Sequence, residues 1–183
     1  MKIEDVLLKL AHDAINYEFD NTISIDNSLK EQFSILNEQR ATFVTLNLNN
    51  NLRGCMGSLV AHRTLFEDII HNARAAAFSD FRFNRLSQEE FQDIEIEISI
   101  LTPAQELEYK NLEDLKQKLI PNKHGVILEL DGKRATFLPQ VWEQLPTFEA
   151  FISQLCKKAG LDPNNLPGYP KIQTYEVEKI KKS

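Results

Sequence analysis

Residues Ala41 to Gly57 read Ala-Thr-Phe-Val-Thr-Leu-Asn-Leu-Asn-Asn-Asn-Leu-Arg-Gly-Cys-Met-Gly. Val44, Leu46 and Leu48 alternate with Thr45 and Asn47, the period-two pattern of a half-buried strand. The asparagines Asn49 to Asn51 tolerate positive φ, so the chain is predicted to reverse there into a second strand carrying Leu52 to Gly57. On a regular strand, residues two apart share a face, which would place Arg53 beside Cys55. A guanidinium next to a thiol lowers its pKa toward ~7 and favours the reactive thiolate. Gly54 and Gly57 suit a bulge or the close approach of another backbone or a ligand. The competing reading is a structural cysteine on a glycine-kinked strand, because free cysteines are among the most buried residues.

Upstream of this hairpin, Val6, Leu7, Leu10, Ala14 and Ile15 recur at helical spacing and predict an amphipathic helix from Ile3 to about Glu18. Ser28 with Glu31 suggests a capping box opening a short helix. Downstream, Thr64 and Glu67 form the same signature, followed by an apolar stripe of Phe66, Ile69, Ile70, Ala73 and Ala77. Its small alanines would let the helix lie close against a sheet. Ser87 with Glu90 signals another short helix. Ile94, Ile96, Ile98 and Ile100 then alternate with acidic or hydroxyl residues, which describes a one-faced strand that Thr102-Pro103 ends.

The second half repeats the theme. A helix near Leu112 to Leu119 leads to a strand from Val126 to Leu130, an Asp131-Gly132 hairpin turn and a returning strand to Leu138. Pro139 opens a short helix containing Trp142, and a longer helix follows from Thr147 to a glycine C-cap at Gly160. A last strand is expected near Ile172 to Val177, with a basic, frayed end beyond it. Residues 41 to 101 and 125 to 178 thus each read strand, strand, helix, helix, strand. The expected architecture is α+β: duplicated halves sharing a largely antiparallel, barrel-like sheet flanked by helices, in one domain or two intertwined lobes. Arg-Ala-Thr-Phe occurs at Arg40 and at Arg134, but on different strands of the two hairpins, so that identity is read as chance.

Composition narrows the function. A chain of 183 residues, 42% hydrophobic and 26% charged, has the profile of a globular protein. Its net charge of −6 argues against a nonspecific nucleic-acid binder. No run approaches the ~20 apolar residues of a membrane span and no signal-peptide pattern opens the chain, so a cytoplasmic location is expected. Cys55 and Cys156 form no CxxC pair, and His12, His62, His71 and His124 lack metal-ligand spacing, so neither a metal nor another cofactor is expected. Cys55 with His62 or His71 could make a thiol and base pair if the fold joins them. Trp142, Phe137 and Phe148 read as core rather than a binding platform.

Five segments carry a family resemblance: LRGCMGSL at Leu52 to Leu59, NARAAAF at Asn72 to Phe78, DFRF at Asp80 to Phe83, IEISILTP at Ile96 to Pro103, and RATFLPQVWEQLP at Arg134 to Pro146. In this order they resemble the AMMECR family along most of the chain. Met56, Phe81 and Asn84 depart from the family pattern, where isoleucine and prolines are usual. The resemblance implies an α+β fold with duplicated halves and carries no assigned reaction. It also implies work alongside a Memo-like protein and a radical SAM enzyme. The family's motif positions fall on Arg53, Gly54, Cys55, Gly57, Asp80, Arg82 and Phe83, a candidate binding surface. Two function classes follow: a noncatalytic accessory module presenting that surface, or an enzyme with Cys55 as nucleophile and Arg53 stabilising negative charge.

Overall fold

The computed structural model describes residues 2–182. Helix α1 (Ile3–Asn16) opens the chain, and the short α2 (Leu29–Gln32) and a 3-10 turn (Ser34–Asn37) lead to strands β1 (Thr42–Leu48) and β2 (Asn51–Gly57). Asn49 and Asn50 take φ of 52° and 62°, the paired left-handed conformation of a tight hairpin turn, as their side chains permit. Helix α3 (Leu65–Phe78), the single-turn α4 (Gln88–Phe91) and strand β3 (Ile94–Leu101) follow. Both Thr64 with Glu67 and Ser87 with Glu90 close full capping boxes. The box anticipated at Ser28 does not form: Ser28 has helical φ and ψ and its side chain caps nothing. Its neighbour Asp26 accepts the Ser28 N–H instead, at 2.9 Å.

The remaining elements are β4 (Gln105–Glu106), α5 (Leu112–Lys118), β5 (Gly125–Leu130), β6 (Lys133–Phe137), a 3-10 turn (Pro139–Glu143), α6 (Phe148–Lys158), β7 (Lys171–Tyr175) and β8 (Val177–Lys181). The fold is α+β, as expected. Its strands do not close into one barrel but divide between two four-stranded sheets, ordered β2-β1-β3-β8 and β4-β7-β5-β6. Each sheet buries one face on its own apolar cluster, which removes the need for a common barrel. Reversed, the second order reads β6-β5-β7-β4, so the hairpin, the third strand and an edge strand occupy matching places in both. That is the duplication legible in the sequence. Residues 178 to 181 are not frayed: Ile180 is buried in the first cluster, and that anchor makes β8 the edge of the first sheet.

The chain divides into two compact units, one built from residues up to Leu101 together with the segment from Glu178, the other from Thr102–Val177. In the second, Trp142 stacks on Phe151 at 3.7 Å between centroids, and Cys156 is fully buried beside Leu155. These aromatics are core, as their spacing suggested. In the first, Val44, Leu46, Ile98 and Ile100 meet Leu7, Leu10 and Ala14 of α1 and Leu65, Ile69 and Ala73 of α3. Side chains of this size each contribute roughly 1.5–3 kcal/mol on burial. A buried polar knot ties α3 to β1: Asp68 Oδ2 accepts from the Thr42 N–H at 2.8 Å, the Thr42 hydroxyl at 2.7 Å and Asn72 Nδ2 at 2.9 Å.

Helix α3 crosses the hairpin at backbone distance. A Cβ on Gly54 would stand 2.2 Å from the Ala76 carbonyl oxygen, so only glycine fits. One on Gly57 would stand 2.4 Å from the Thr42 carbonyl oxygen and 2.5 Å from the Phe43 ring. Because the obstruction at Gly54 is backbone, Gly54→Ala must push α3 off the sheet. Thermal or urea unfolding should show a loss of about 1–3 kcal/mol; a variant as stable as the parent would mean the helix has room to move.

Candidate functional site

The surface singled out by sequence is assembled by an irregularity in the hairpin. Leu46 pairs with Gly54 but Asn47 pairs with Leu52, so Arg53 is the extra residue of a β-bulge. Regular alternation therefore fails, and Arg53 is not placed beside the Cys55 thiol in the way a regular strand would place it. Its guanidinium turns to α4 and the loop before it: Nε donates to Glu90 Oε1 at 2.8 Å, and Nη2 to Glu90 Oε2 at 2.8 Å and the Asn84 carbonyl at 3.0 Å. Glu90 Oε2 also accepts the Ser87 N–H at 2.9 Å, so one carboxylate closes the cap of α4 and holds Arg53. The hydrogen bonds from Arg53 come first, and those from Ser87 second, in pulling Glu90 down to about 2. The same pairing raises the Arg53 pKa.

Strand β2 is a sheet edge, where backbone groups ordinarily face solvent or a partner strand. At Cys55 two side chains from the loop after α3 take that place. The Cys55 N–H donates to Asp80 Oδ2 at 2.9 Å, and Arg82 Nη2 donates to the Cys55 carbonyl at 3.4 Å. Arg82 grips the same carboxylate through Nε to Oδ1 at 3.0 Å and Nη2 to Oδ2 at 2.7 Å, with its backbone N–H on Oδ1 at 3.1 Å. Asp80 is only 5% exposed. The Arg82 guanidinium, aided by the N–H groups of Cys55 and Arg82, holds its carboxyl well below the usual range against the opposing effect of burial. Phe83 lies between the two cations, its ring centre 5.8 Å from Arg53 Cζ and 5.5 Å from Arg82 Cζ.

Arg53, Gly54, Cys55, Asp80, Arg82 and Phe83 are thus brought together, while Gly57 serves packing one strand position beyond. The Cys55 thiol is half-buried and accepts from the Thr45 hydroxyl at 3.3 Å. Neither His62 nor His71 hydrogen-bonds it among the described residues; His71 lines a different cavity of about 480 Å³ with Arg63 and Arg74. Among those residues no group of three His, Cys, Asp or Glu side chains is arranged to hold a metal ion. No helix among them is long and apolar enough to cross a membrane. Sequence reasoning missed Glu90 and Asn84 as partners of Arg53 and Asp68 with Asn72 as a buried pair. Ser87-x-x-Glu90 announced a cap, but the partner 37 residues away left no local trace. Asp68 and Asn72 did leave one, as polar residues four apart on the buried side of α3.

A protein-family model described as AMMECR1 matches residues 8–180. The chain belongs to the AMMECR1 family. A relative from Methanothermobacter thermautotrophicus is 33% identical over 86% of this chain and 82% of its own length. Protein NEQ441 of Nanoarchaeum equitans is 32% identical over 94% and 95%. The AMMECR1 fold is also that of the crystal structure of uncharacterized protein PH0010 from Pyrococcus horikoshii, at a TM-score of 0.73 and 31% identity, over 95% of this chain and 88% of that one.

Asp80 and Glu90 both have folded pKa values below their ordinary 3.8 and 4.5. Their contribution to stability is complete above those ordinary values and is lost as pH falls through the folded ones. For Glu90 the window runs from 4.5 down to about 2. Melting temperature followed across that window should fall steeply in the parent and less steeply in Glu90→Gln, which already melts lower at neutral pH. Parallel slopes would show that Glu90 gains nothing from Arg53.

Proposed function

We propose that this AMMECR1-family chain is a noncatalytic binding module, acting as one domain in the cytoplasm and presenting the β2 edge and the Asp80 loop to a partner. The observation that supports it is the commitment of the site's charges to one another: Glu90 takes Arg53, and Asp80 takes both Arg82 and the Cys55 N–H. A nucleophile needs a free base to take its proton, and both carboxylates of this site are held by arginines instead. What the loop offers outward is shape and apolar surface. Phe81 is 95% exposed, an unusual position for a phenylalanine. On the family resemblance, the partner is a Memo-like protein working with a radical SAM enzyme.

The second reading, a cysteine enzyme, draws on one contrast: Cys55 is half-exposed while Cys156 is sealed in the second core, where burial raises its pKa. The two readings separate in one binding assay against a Memo-like protein. Cys55→Ser should bind within about twofold of the parent, and Phe81→Ala should weaken association by ~1–3 kcal/mol, the range of an interface anchor. Circular dichroism must first show both variants folded. Loss of binding in a folded Cys55→Ser, with Phe81→Ala unaffected, would overturn the proposal and favour the thiol.

A further inference from the structure

Beside the bulge lies a cavity of about 500 Å³, walled by Arg53, Phe81, Arg82, Phe83, Arg85 and Glu90. The depression is open to solvent, and its volume falls in the range of small-ligand sites. Three arginines line it against one carboxylate, Glu90. The balance is positive in a chain whose net charge is −6. Arg85 has no carboxylate partner among the described residues, and it lies over the Phe78 ring at 4.9 Å. The Arg82 side chain is 46% exposed on its outer side although its inner edge grips Asp80. Arg53 Nη1 is the only buried side-chain nitrogen or oxygen among the described residues with no hydrogen-bond partner. That atom is closed to solvent, so an anion in the cavity meets Arg53 through its charge rather than through this donor. Phe81 adds an uncovered aromatic face at the rim.

We propose that this cavity binds a phosphate monoester bearing a planar ring, of mononucleotide size. Arg82 and Arg85 receive the phosphate, in the fork geometry that guanidinium groups offer to phosphate oxygens, and Phe81 stacks on the ring. Glu90 does not repel the ligand because Arg53 neutralises it across two hydrogen bonds. The assignment rests on the reading of this surface as a binding surface and names what it binds besides a protein partner.

The test is a titration of the isotope-labelled full chain, at low salt, with adenosine monophosphate, inorganic phosphate and adenosine, followed by amide chemical shifts. The monophosphate and phosphate should both move the amides of residues 81–85, with the monophosphate binding about tenfold more tightly because of stacking. Arg85→Ala should weaken both at least fivefold, since each loses a charge-assisted contact. Phe81→Ala should leave phosphate binding unchanged and erase the advantage of the monophosphate. Both substitutions are at exposed positions outside the Asp80 clamp, so the fold should survive them. No shift with either phosphate at millimolar concentration, or the same shifts with adenosine alone, would overturn the assignment. Should the nucleotide fail while a Memo-like protein still binds in a Phe81-dependent manner, only the ligand is wrong; failure of both removes the surface.

Discussion

A carboxylate nearly sealed from water at the open edge of a sheet is tolerable only when it is charged, paired and fully hydrogen-bonded, and Asp80 meets all three conditions at once. Its oxygens accept the Cys55 N–H, the Arg82 N–H and two guanidinium nitrogens. The result is a side-chain substitute for a fifth strand. It protects the β2 edge from pairing with another chain, fixes where Arg82 and Phe83 sit, and positions Phe81 outward. Removing a partner of this carboxylate costs more than the net value of the pair, because the charge left behind is buried and unmatched. The surface proposed for binding is therefore a by-product of the way the sheet edge is closed.

Two further constraints keep that edge in place. Gly54 lets α3 reach the hairpin at backbone contact, and α3 ends where the Asp80 loop must begin, so any retreat of the helix would carry Asp80 away from Cys55. The bulge at Arg53 twists the strand locally and sends the guanidinium to Glu90, which binds α4 to the same edge. Helix, bulge and loop thus converge on a few residues of β2. A thiol at the centre of such an arrangement is held by its backbone, and its side chain meets only the Thr45 hydroxyl among the hydrogen-bonding groups described.

Local physics made much of this readable. The double asparagine specified the hairpin turn, the S/T-x-x-E signatures specified the starts of α3 and α4, and the alternating isoleucines specified β3. The duplicated order of elements was visible because each half repeats the same periodicities. What escaped was nonlocal. Residues 178 to 181 looked like a basic tail because a single buried Ile180 carries their attachment, and one apolar residue makes no pattern. The two-residue β4 has no periodicity to read. The bulge escaped for a related reason: Gly54 permitted one, but only the pairing of β1 with β2 shows that Arg53 is the residue it displaces. Proximity of Arg53 to Cys55 in sequence suggested an activated thiol, whereas the partners of Arg53 come from a helix far along the chain. Asp80 and Arg82 were legible only as motif positions of a candidate surface; the burial of Asp80, whose desolvation makes its partners obligatory, left no local trace.

The hydrogen bond from the Cys55 N–H to Asp80 can be observed directly by amide hydrogen exchange. If Asp80 stands in for a strand, the Cys55 amide should exchange on the order of a hundredfold more slowly than an open loop amide, and Asp80→Ala should abolish that protection while the amides of β1 and β3 stay protected. A Cys55 amide that exchanges as fast as an unpaired edge in the parent, or that keeps its protection without the Asp80 carboxylate, would contradict the clamp.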